Sequence, residues 1–240
     1  TITDKTASDA IARFGLERKL ENWKPASPAY RKLRQLTRER DQLVQSRTIA
    51  KNQLHAEQSE VEPNKTSLTR VKKLITLLDK QEIEIKAELA ALVKQSAEIK
   101  KKVDLITSIP GVGALTAVTV LAETNGFELI RNKKQLTSYA GLDVKEKQSG
   151  TSVKGKAVIS KKGNKYLRKA MHLPALASIR HDERFKAIFT RLVGKHGIKM
   201  KGAVAVQRKL LELIYIVFKT VNKYDKDYLQ KTREQQIATP

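Results

Sequence analysis

The chain contains no cysteine, which excludes a disulfide framework and a thiolate zinc site and suits a reducing compartment. No apolar run approaches the roughly 20 residues that a membrane span needs, and residues 1–6 show no signal-peptide pattern. Aromatic residues make up only 5% of the chain and charged residues as much as 30%, a composition with few core-forming side chains for one compact globule. We therefore expect a soluble intracellular protein built of two or three small units.

Acidic residues are in the minority, 25 against 48 Lys and Arg, and the resulting net charge of +23 indicates a polyanionic partner. A solvated basic surface, or a ribosome-associated protein, is the alternative. No Gly-Lys-Ser/Thr follows Gly113, so a phosphate-binding ATP loop is excluded. A histidine metal site is excluded too, because the four histidines have no metal-ligand spacing (His55, His172, His181 and His196).

Residues 28–106 have apolar residues spaced for long helices. In the second half they recur every seven residues, and a second interleaved series carries two polar breaks, Glu82 and Ser96. The first series is Val71, Leu78, Ile85, Leu92, Ile99 and Ile106. The pattern predicts helices over 34–57 and 68–106 with a turn near 62–65. We expect an antiparallel coiled-coil hairpin that packs on itself, on a partner protomer, or on both.

Beyond this hairpin, Gly111 and Gly113 precede an apolar helix over 114–123, the pattern of a helix-hairpin-helix. Its exposed N–H groups could hold a DNA phosphate, although an ordinary glycine turn between packed helices explains the same residues. Further helices are predicted over 133–142, 166–180, 183–196 and 201–224, with a polar loop over 143–169. The expected fold is mainly α: a coiled-coil hairpin followed by a compact helical domain that contains the helix-hairpin-helix.

The predicted loop is strongly cationic. From Lys145 to Lys169 it has nine Lys and Arg against a single acid. It also contains Ser149, followed by Gly150, and a hydroxyl among cations could attack a phosphodiester. Ser-Gly in a loop is more often only a flexible turn, and spacing alone leaves both interpretations open.

Four motifs in order resemble the C-terminal domain of the bridge-RNA-guided insertion-sequence transposases, relatives of the Piv-type DNA invertases. They are LITSIPGVG at 105–113, QLTSYAGL at 135–142, QSG at 148–150 and ISKKGNKYLRKA at 159–170. The resemblance implies a DNA-recombining enzyme of the bacterial cytoplasm and nucleoid, with DNA and a guide RNA as partners and self-association through the coiled coil. It also implies a serine that joins covalently to DNA, which makes Ser149 the candidate nucleophile and Ser152 and Ser160 the alternatives.

The glycine turn and the cationic loop supply the candidate binding residues. The expected DNA contacts are Gly111, Gly113, Lys145, Lys147, Lys154, Lys156, Lys161, Lys162, Lys165 and Arg168. The family carries an N-terminal RuvC-like domain with an acidic Mg²⁺ site, and residues 1–27 resemble its end and a linker. Asp4 matches the first of two aspartates in that motif. The second falls on Ala7, and Asp9 lies two positions later, so Asp4 and Asp9 are the candidate catalytic and metal-binding acids.

The implied organisation is a remnant of the RuvC-like domain and linker at 1–27, the coiled-coil hairpin at 28–106, the C-terminal transposase domain at 107–225 and a flexible tail at 226–240. The chain starts within a motif and without methionine. We expect a fragment that lacks most of the metal-site domain, is inactive alone and holds no Mg²⁺. Two other functions fit the composition: a non-catalytic basic architectural protein that binds DNA or RNA, and a coiled-coil assembly factor.

Overall fold

The computed structural model describes residues 3–19, 25–128, 130–149 and 153–227, and for residues 146–149 and 153–157 it describes the backbone alone. The described chain is mainly helical, as the sequence predicts, with one two-stranded sheet. Its elements are α1 Asp4–Glu17, α2 Pro28–Gln58, α3 Lys65–Gln95, α4 Ala97–Thr107, α5 Ala114–Glu123, α6 Lys133–Tyr139, β1 Val144–Ser149, β2 Val153–Ile159, α7 Lys165–Ala170, α8 His172–His181, α9 Glu183–His196 and α10 Lys199–Thr220. Among the described residues, no helix is both long and apolar enough to cross a membrane.

Helices α2 and α3 form a long antiparallel hairpin. Ser27 and Asn64 begin the two helices by accepting hydrogen bonds from backbone N–H groups of their first turns. Ion pairs between the helices, such as Lys32–Glu88 at 3.2 Å and Arg40–Glu82 at 2.8 Å, run in opposite sequence order and fix the antiparallel direction. The hairpin is thus observed, whereas supercoiling and pairing with a second protomer stay predictions.

Glu82, which interrupts the heptad pattern, lies in the interface of the hairpin with its side chain only 5% exposed. It accepts hydrogen bonds from Arg40 and forms ion pairs with Arg47 and with Lys86. Burial alone would raise the pKa of the Glu82 carboxyl, but these cations more than compensate and lower it to about 2. The polar break in the heptad is therefore a buried ion network.

Ser96 ends α3, so the single helix expected over 68–106 is wrong. Its backbone is extended, with φ −111° and ψ 105°, and its hydroxyl accepts a hydrogen bond from the N–H of Ile99 at 3.3 Å to begin α4. A serine side chain offers the backbone this alternative to a continued helix. The chain is thereby redirected, and α4 packs against α5 and α10.

The polar loop predicted over 143–169 is also wrong for residues 144–149 and 153–159, because β1 and β2 form an antiparallel hairpin. Val144 pairs with Ile159 and Ser149 with Val153, with an irregularity between Lys145 and Lys147. Val144 in β1 and Val153, Val158 and Ile159 in β2 are β-branched, and Gly150 lies between the two strands in sequence, which together favour such a hairpin. That signal was outweighed by the many lysines.

The core is continuous from the base of the long hairpin into the C-terminal helices. Leu33 of α2 belongs to the same buried cluster as Ile106, Leu121 and Leu210. Helices α5 and α10 form its centre. The domain boundary expected at residue 107 stays a prediction, and the packing across it is apolar.

Candidate nucleic-acid interface

A buried carboxylate at the end of α5 organises the surface around the β-hairpin. The Glu123 side chain is 1% exposed, and Arg38 of α2 binds it with two parallel hydrogen bonds, each 2.8 Å long. The Arg38 guanidinium also lies 4.5 Å from the ring centroid of Tyr166 in α7. The hydrogen bond that Arg38 donates to Glu123 outweighs the effect of burial and raises the pKa of Arg38 above its ordinary value. The ion pair and the ring contact together connect three helices, α2, α5 and α7.

Asn164 connects this ion pair to the segment between β2 and α7. Its Nδ2 donates to Glu123 Oε2 at 2.6 Å, and its Oδ1 accepts from the N–H of Leu167 at 3.0 Å, which begins α7. The Tyr139 hydroxyl donates to the backbone carbonyl of Glu123 at 3.0 Å. The side chains of Asn164 and Tyr139 thus hold the segments that contain them against the end of α5.

The backbone of residues 160–164, which we call the β2–α7 turn, is fixed against α6. The N–H of Asn164 donates to the Tyr139 carbonyl at 2.7 Å, and the N–H of Lys161 donates to the Gly141 carbonyl at 3.1 Å. Gly163 has φ +143°, and a Cβ there would lie 2.4 Å from the Tyr139 carbonyl oxygen. Only glycine fits this position without a shift of the backbone.

The β2–α7 turn and the first residue of α7 present lysines to solvent. Lys161, Lys162 and Lys165 are all exposed, and none of them forms an ion pair within the part of the chain that the structure describes. Lys145 on β1 is exposed as well. Arg168 differs, because it is half-buried and donates to the Ala140 carbonyl at 2.8 Å, so its first role is structural. Unpaired exposed cations on a fixed backbone suit contacts with phosphates.

Ser149 lies at the far end of β1, with its backbone opposite Val153. Its side chain falls outside the described residues, as do those of Lys147, Lys154 and Lys156, and Ser152 lies entirely outside them. The alternative nucleophile Ser160 is described, and its hydroxyl donates to Asp143 Oδ1 at 2.6 Å. That hydrogen bond gives Ser160 a structural role at the base of the β-hairpin.

The two glycines of the expected helix-hairpin-helix have different surroundings. Gly111 is half-buried with φ +87°, and a Cβ there would lie 2.7 Å from the backbone nitrogen of Ser178. The Ser178 hydroxyl donates to the Pro110 carbonyl at 2.8 Å, so close packing on α8 already explains Gly111. Gly113 is exposed and precedes the first turn of α5 without a side-chain cap. A phosphate contact at this turn stays a prediction.

Asp4 and Asp9 do not form a metal site by themselves. Both are exposed on α1, a helix without buried residues, and five helical positions place them about 140° apart around its axis. Within the described ranges no three Asp, Glu or His residues cluster as metal ligands do. The two carboxylates therefore do not fit Mg²⁺ without ligands from elsewhere.

The sequence interpretation missed the roles of Arg38, Glu123 and Asn164. Glu123 carried a usable signal, because it follows a segment, Ala117 to Ala122, that is apolar except for Thr119, and a lone acid there needs a cationic partner. Nothing in the sequence pattern identified that partner as Arg38, which is 85 residues away.

Two transposase models match this chain. Residues 103–190 match the model of the Transposase IS116/IS110/IS902 family, and residues 3–61 match an IS110-type DEDD model described as Transposase. The first range contains Glu123, both β-strands and the β2–α7 turn, and the second contains Arg38. The ion pair between Arg38 and Glu123 therefore joins the two matched regions.

Known proteins show the same similarity. The pilin gene-inverting protein of Moraxella bovis is 29% identical over 231 residues, which cover 94% of this chain and 69% of that protein. The counterpart from Moraxella lacunata gives the same values. The transposase for insertion sequence element IS1111A of Coxiella burnetii is 29% identical over 144 residues, covering 57% of this chain and 37% of that protein.

Proposed function

We propose that this chain binds DNA through the β-hairpin and the β2–α7 turn, and that a serine nucleophile recombines the bound DNA. The premise is that the chain carries transposase domains of the IS110/IS116/IS902 family. The observation that carries the proposal is the fixed turn. Its exposed lysines have no acidic partners among the described residues, and it directly follows the hairpin that carries Ser149.

Ser149 is the proposed nucleophile. Its Oγ gives up its proton and attacks a phosphorus atom, so that a serine–phosphate bond forms and the bond from phosphorus to one sugar oxygen breaks. That oxygen takes up a proton and leaves as a hydroxyl, so the net proton transfer is from the serine to the leaving group. The phosphoester conserves the bond energy, so the strand can be rejoined to another end without ATP. Neighbouring lysines, among them Lys145, would stabilise the charge on the phosphorane. Inversion of a DNA segment, as in the name of the pilin gene-inverting proteins, needs the same steps.

Further parts of the proposal are a divalent metal, a guide RNA and self-association. The match to a DEDD model supports a divalent metal in the full enzyme, with Asp4 as one contributor. The guide RNA rests on the resemblance alone. Self-association is supported by apolar side chains left exposed on α3, since Leu74 is 45% and Leu77 51% exposed.

DNA binding is tested first, on the chain itself, by fluorescence anisotropy with a labelled duplex at several salt concentrations. We expect the affinity to fall steeply with salt, and replacement of Lys161 or Lys162 by Ala to reduce the log–log slope by about 0.9 each. Lys195→Ala, an exposed lysine of α9 outside this surface, is the control and should leave the slope nearly unchanged. An affinity that ignores salt would contradict the proposal.

The covalent step is tested in the recombination assembly with DNA, guide RNA and Mg²⁺. Ser149→Ala should abolish a protein–DNA adduct on denaturing gels and leave DNA affinity within a few-fold. If the adduct is lost with Ser152→Ala or Ser160→Ala instead, that serine is the nucleophile and the mechanism is otherwise unchanged. If no serine substitution matters, the covalent mechanism fails, and binding without chemistry favours the architectural protein.

A further inference from the structure

A cleft of about 560 Å³ opens between α2, α5, α7 and α8, beside the β2–α7 turn. Its walls are largely apolar and include Val44, Leu115, Leu173 and Pro174. The stacked Arg38 and Tyr166 side chains form part of the lining near α7. The volume lies within the range of roughly 300–1,000 Å³ in which small molecules and single nucleotides bind.

Polar groups with unused hydrogen-bonding capacity also line the cleft. His172 Nδ1 is bonded to Gln207 Nε2 at 2.7 Å, which leaves Nε2 without a partner within the described chain. The Thr116 hydroxyl has no partner there either. An apolar slot with a few convergent donors and acceptors suits a flat heteroaromatic ring.

The rim of the cleft is cationic. Lys165 and Lys169 lie one helical turn apart on α7, on neighbouring positions of its surface. Lys169 is paired with Asp41, whose side chain is only 16% exposed, whereas the Lys169 side chain is 53% exposed. Because an ammonium group has three N–H donors, Lys169 can contact a phosphate while its ion pair with Asp41 stays in place.

These features together favour an unpaired nucleotide over a duplex. In a duplex the apolar faces of the bases are stacked inside the helix and only polar edges and phosphates are accessible. Apolar walls beside a cationic rim match a base that has left its stack, with its phosphate outside. Arg168, which lines the cleft, lies against Gly141 together with the backbone of Lys161 and Lys162, so a strand held by the β2–α7 turn passes close to the cleft.

We infer that this cleft binds an unpaired nucleotide of the DNA held at the β2–α7 turn, with the base between α5 and α8 and its phosphate at Lys165 and Lys169. The inference rests on the proposed DNA binding and adds its substrate class, which is duplex DNA with an extrahelical base. His172 and Thr116 contact the edge of that base.

The test measures the affinity of the 240-residue chain for two labelled duplexes of the same sequence. One carries 2-aminopurine as a single-nucleotide bulge, and the other carries it fully paired. We expect the bulged duplex to bind about tenfold tighter, in keeping with one or two hydrogen bonds and the burial of a base, and the 2-aminopurine emission to change only in the bulged complex.

Two kinds of variant assign that preference to the cleft. Leu173→Asp places a negative charge at the mouth of the cleft, and because Leu173 is 73% exposed the fold tolerates it. Its matched control is Leu176→Asp, on the same helix, 42% exposed and outside the lining. Thr119→Phe fills the cleft, with exposed Thr190→Phe of α9 as its control. Leu173→Asp and Thr119→Phe should bring the affinity ratio near one, whereas both controls should keep it.

The outcomes separate this inference from the proposed function. Tight, salt-sensitive binding of paired duplex without preference for the bulge, or a preference that survives both cleft variants, would overturn the inference and leave the DNA-binding proposal standing. Failure to bind either duplex would refute the DNA-binding proposal itself. A single-stranded RNA of the same sequence is the third probe, and cleft-dependent binding of the RNA alone would overturn the assignment to DNA.

Discussion

Breaking the ion pair between Arg38 and Glu123 should destabilise the protein more than any surface charge change. The two carboxylate oxygens accept hydrogen bonds of 2.8 Å each, and the Glu123 side chain is 1% exposed while that of Arg38 is 40% exposed. Loss of one partner from a fully buried pair costs about 3–5 kcal/mol. Here the exposed part of Arg38 can be rehydrated, so the cost depends on which partner is removed.

Arg38→Ala leaves a buried carboxylate with only Asn164 as a side-chain donor, and we expect a loss of about 3 kcal/mol. Glu123→Gln removes the charge but keeps an oxygen for one of the donors, so about 1–2 kcal/mol is expected. The coupling energy from the double-mutant cycle should reach about 1–2 kcal/mol. Surface pair Lys32–Glu88, with side chains 54% and 46% exposed, is the matched control, and Glu88→Gln should cost less than about 1 kcal/mol.

The assay is urea unfolding followed by far-ultraviolet circular dichroism, with the slope of each transition compared between variants. For a chain of this size, about 3 kcal/mol corresponds to a decrease in Tm of roughly 6–12 °C. The reasoning that the pair is coupled and buried would be refuted by two results together. Arg38→Ala would lower the free energy of unfolding no more than Glu88→Gln does, and the effects of Arg38→Ala and Glu123→Gln would be additive in the double-mutant cycle.

Three further predictions concern the hairpin and the β2–α7 turn. The pKa of Glu82 is lowered to about 2, so the ionised carboxylate should stabilise the fold fully above pH 4.5. As the pH falls toward 2, the free energy of unfolding should decrease by about 3 kcal/mol, and Glu82→Gln should remove that pH dependence. Gly163→Ala should cost about 2 kcal/mol or more, whereas Gly194→Ala, in open space on α9, should stabilise by up to about 1 kcal/mol; equal effects in thermal melts would contradict the steric argument. Leu74→Lys with Leu77→Lys should lower the mass measured by light scattering without loss of helicity, and an unchanged mass would count against self-association through this face.

Helix patterning allowed most of the fold to be predicted, because apolar periods of 3.5–3.6 residues are strong over long stretches. Val71, Leu78 and Ile85 are buried as the heptads indicate. The break at Ser96 was not anticipated, since both a continued heptad and a new helix cap fit that residue and tertiary packing decides between them. The β-hairpin was missed because its lysines are typical of a solvated loop, and its two strands contain few β-branched residues, Val144, Val153, Val158 and Ile159.

The candidate site was predictable in composition but not in geometry. Exposed lysines at 161, 162 and 165 follow from charge counting. The contact of Arg38 with Glu123 spans 85 positions of sequence, and no local pattern specifies such a pair. Asn164 stood within a recognised motif, yet its role in connecting α7 to that pair depends on where α5 ends.

Position and charge of the cationic surface depend on different residues, and salt titrations can separate them. Glu123→Gln leaves one oxygen for the donors of Arg38 and Asn164, and so loosens the side-chain contact that positions the β2–α7 turn without changing its lysines. Lys161→Ala changes the number of phosphate contacts but leaves the turn held by its backbone hydrogen bonds. The first variant should therefore weaken duplex binding by a few-fold at nearly constant salt slope, and the second should reduce the slope by about 0.9. If both variants change the salt slope alike, the ion pair between Arg38 and Glu123 does not position the lysines and contributes only to the stability of the fold.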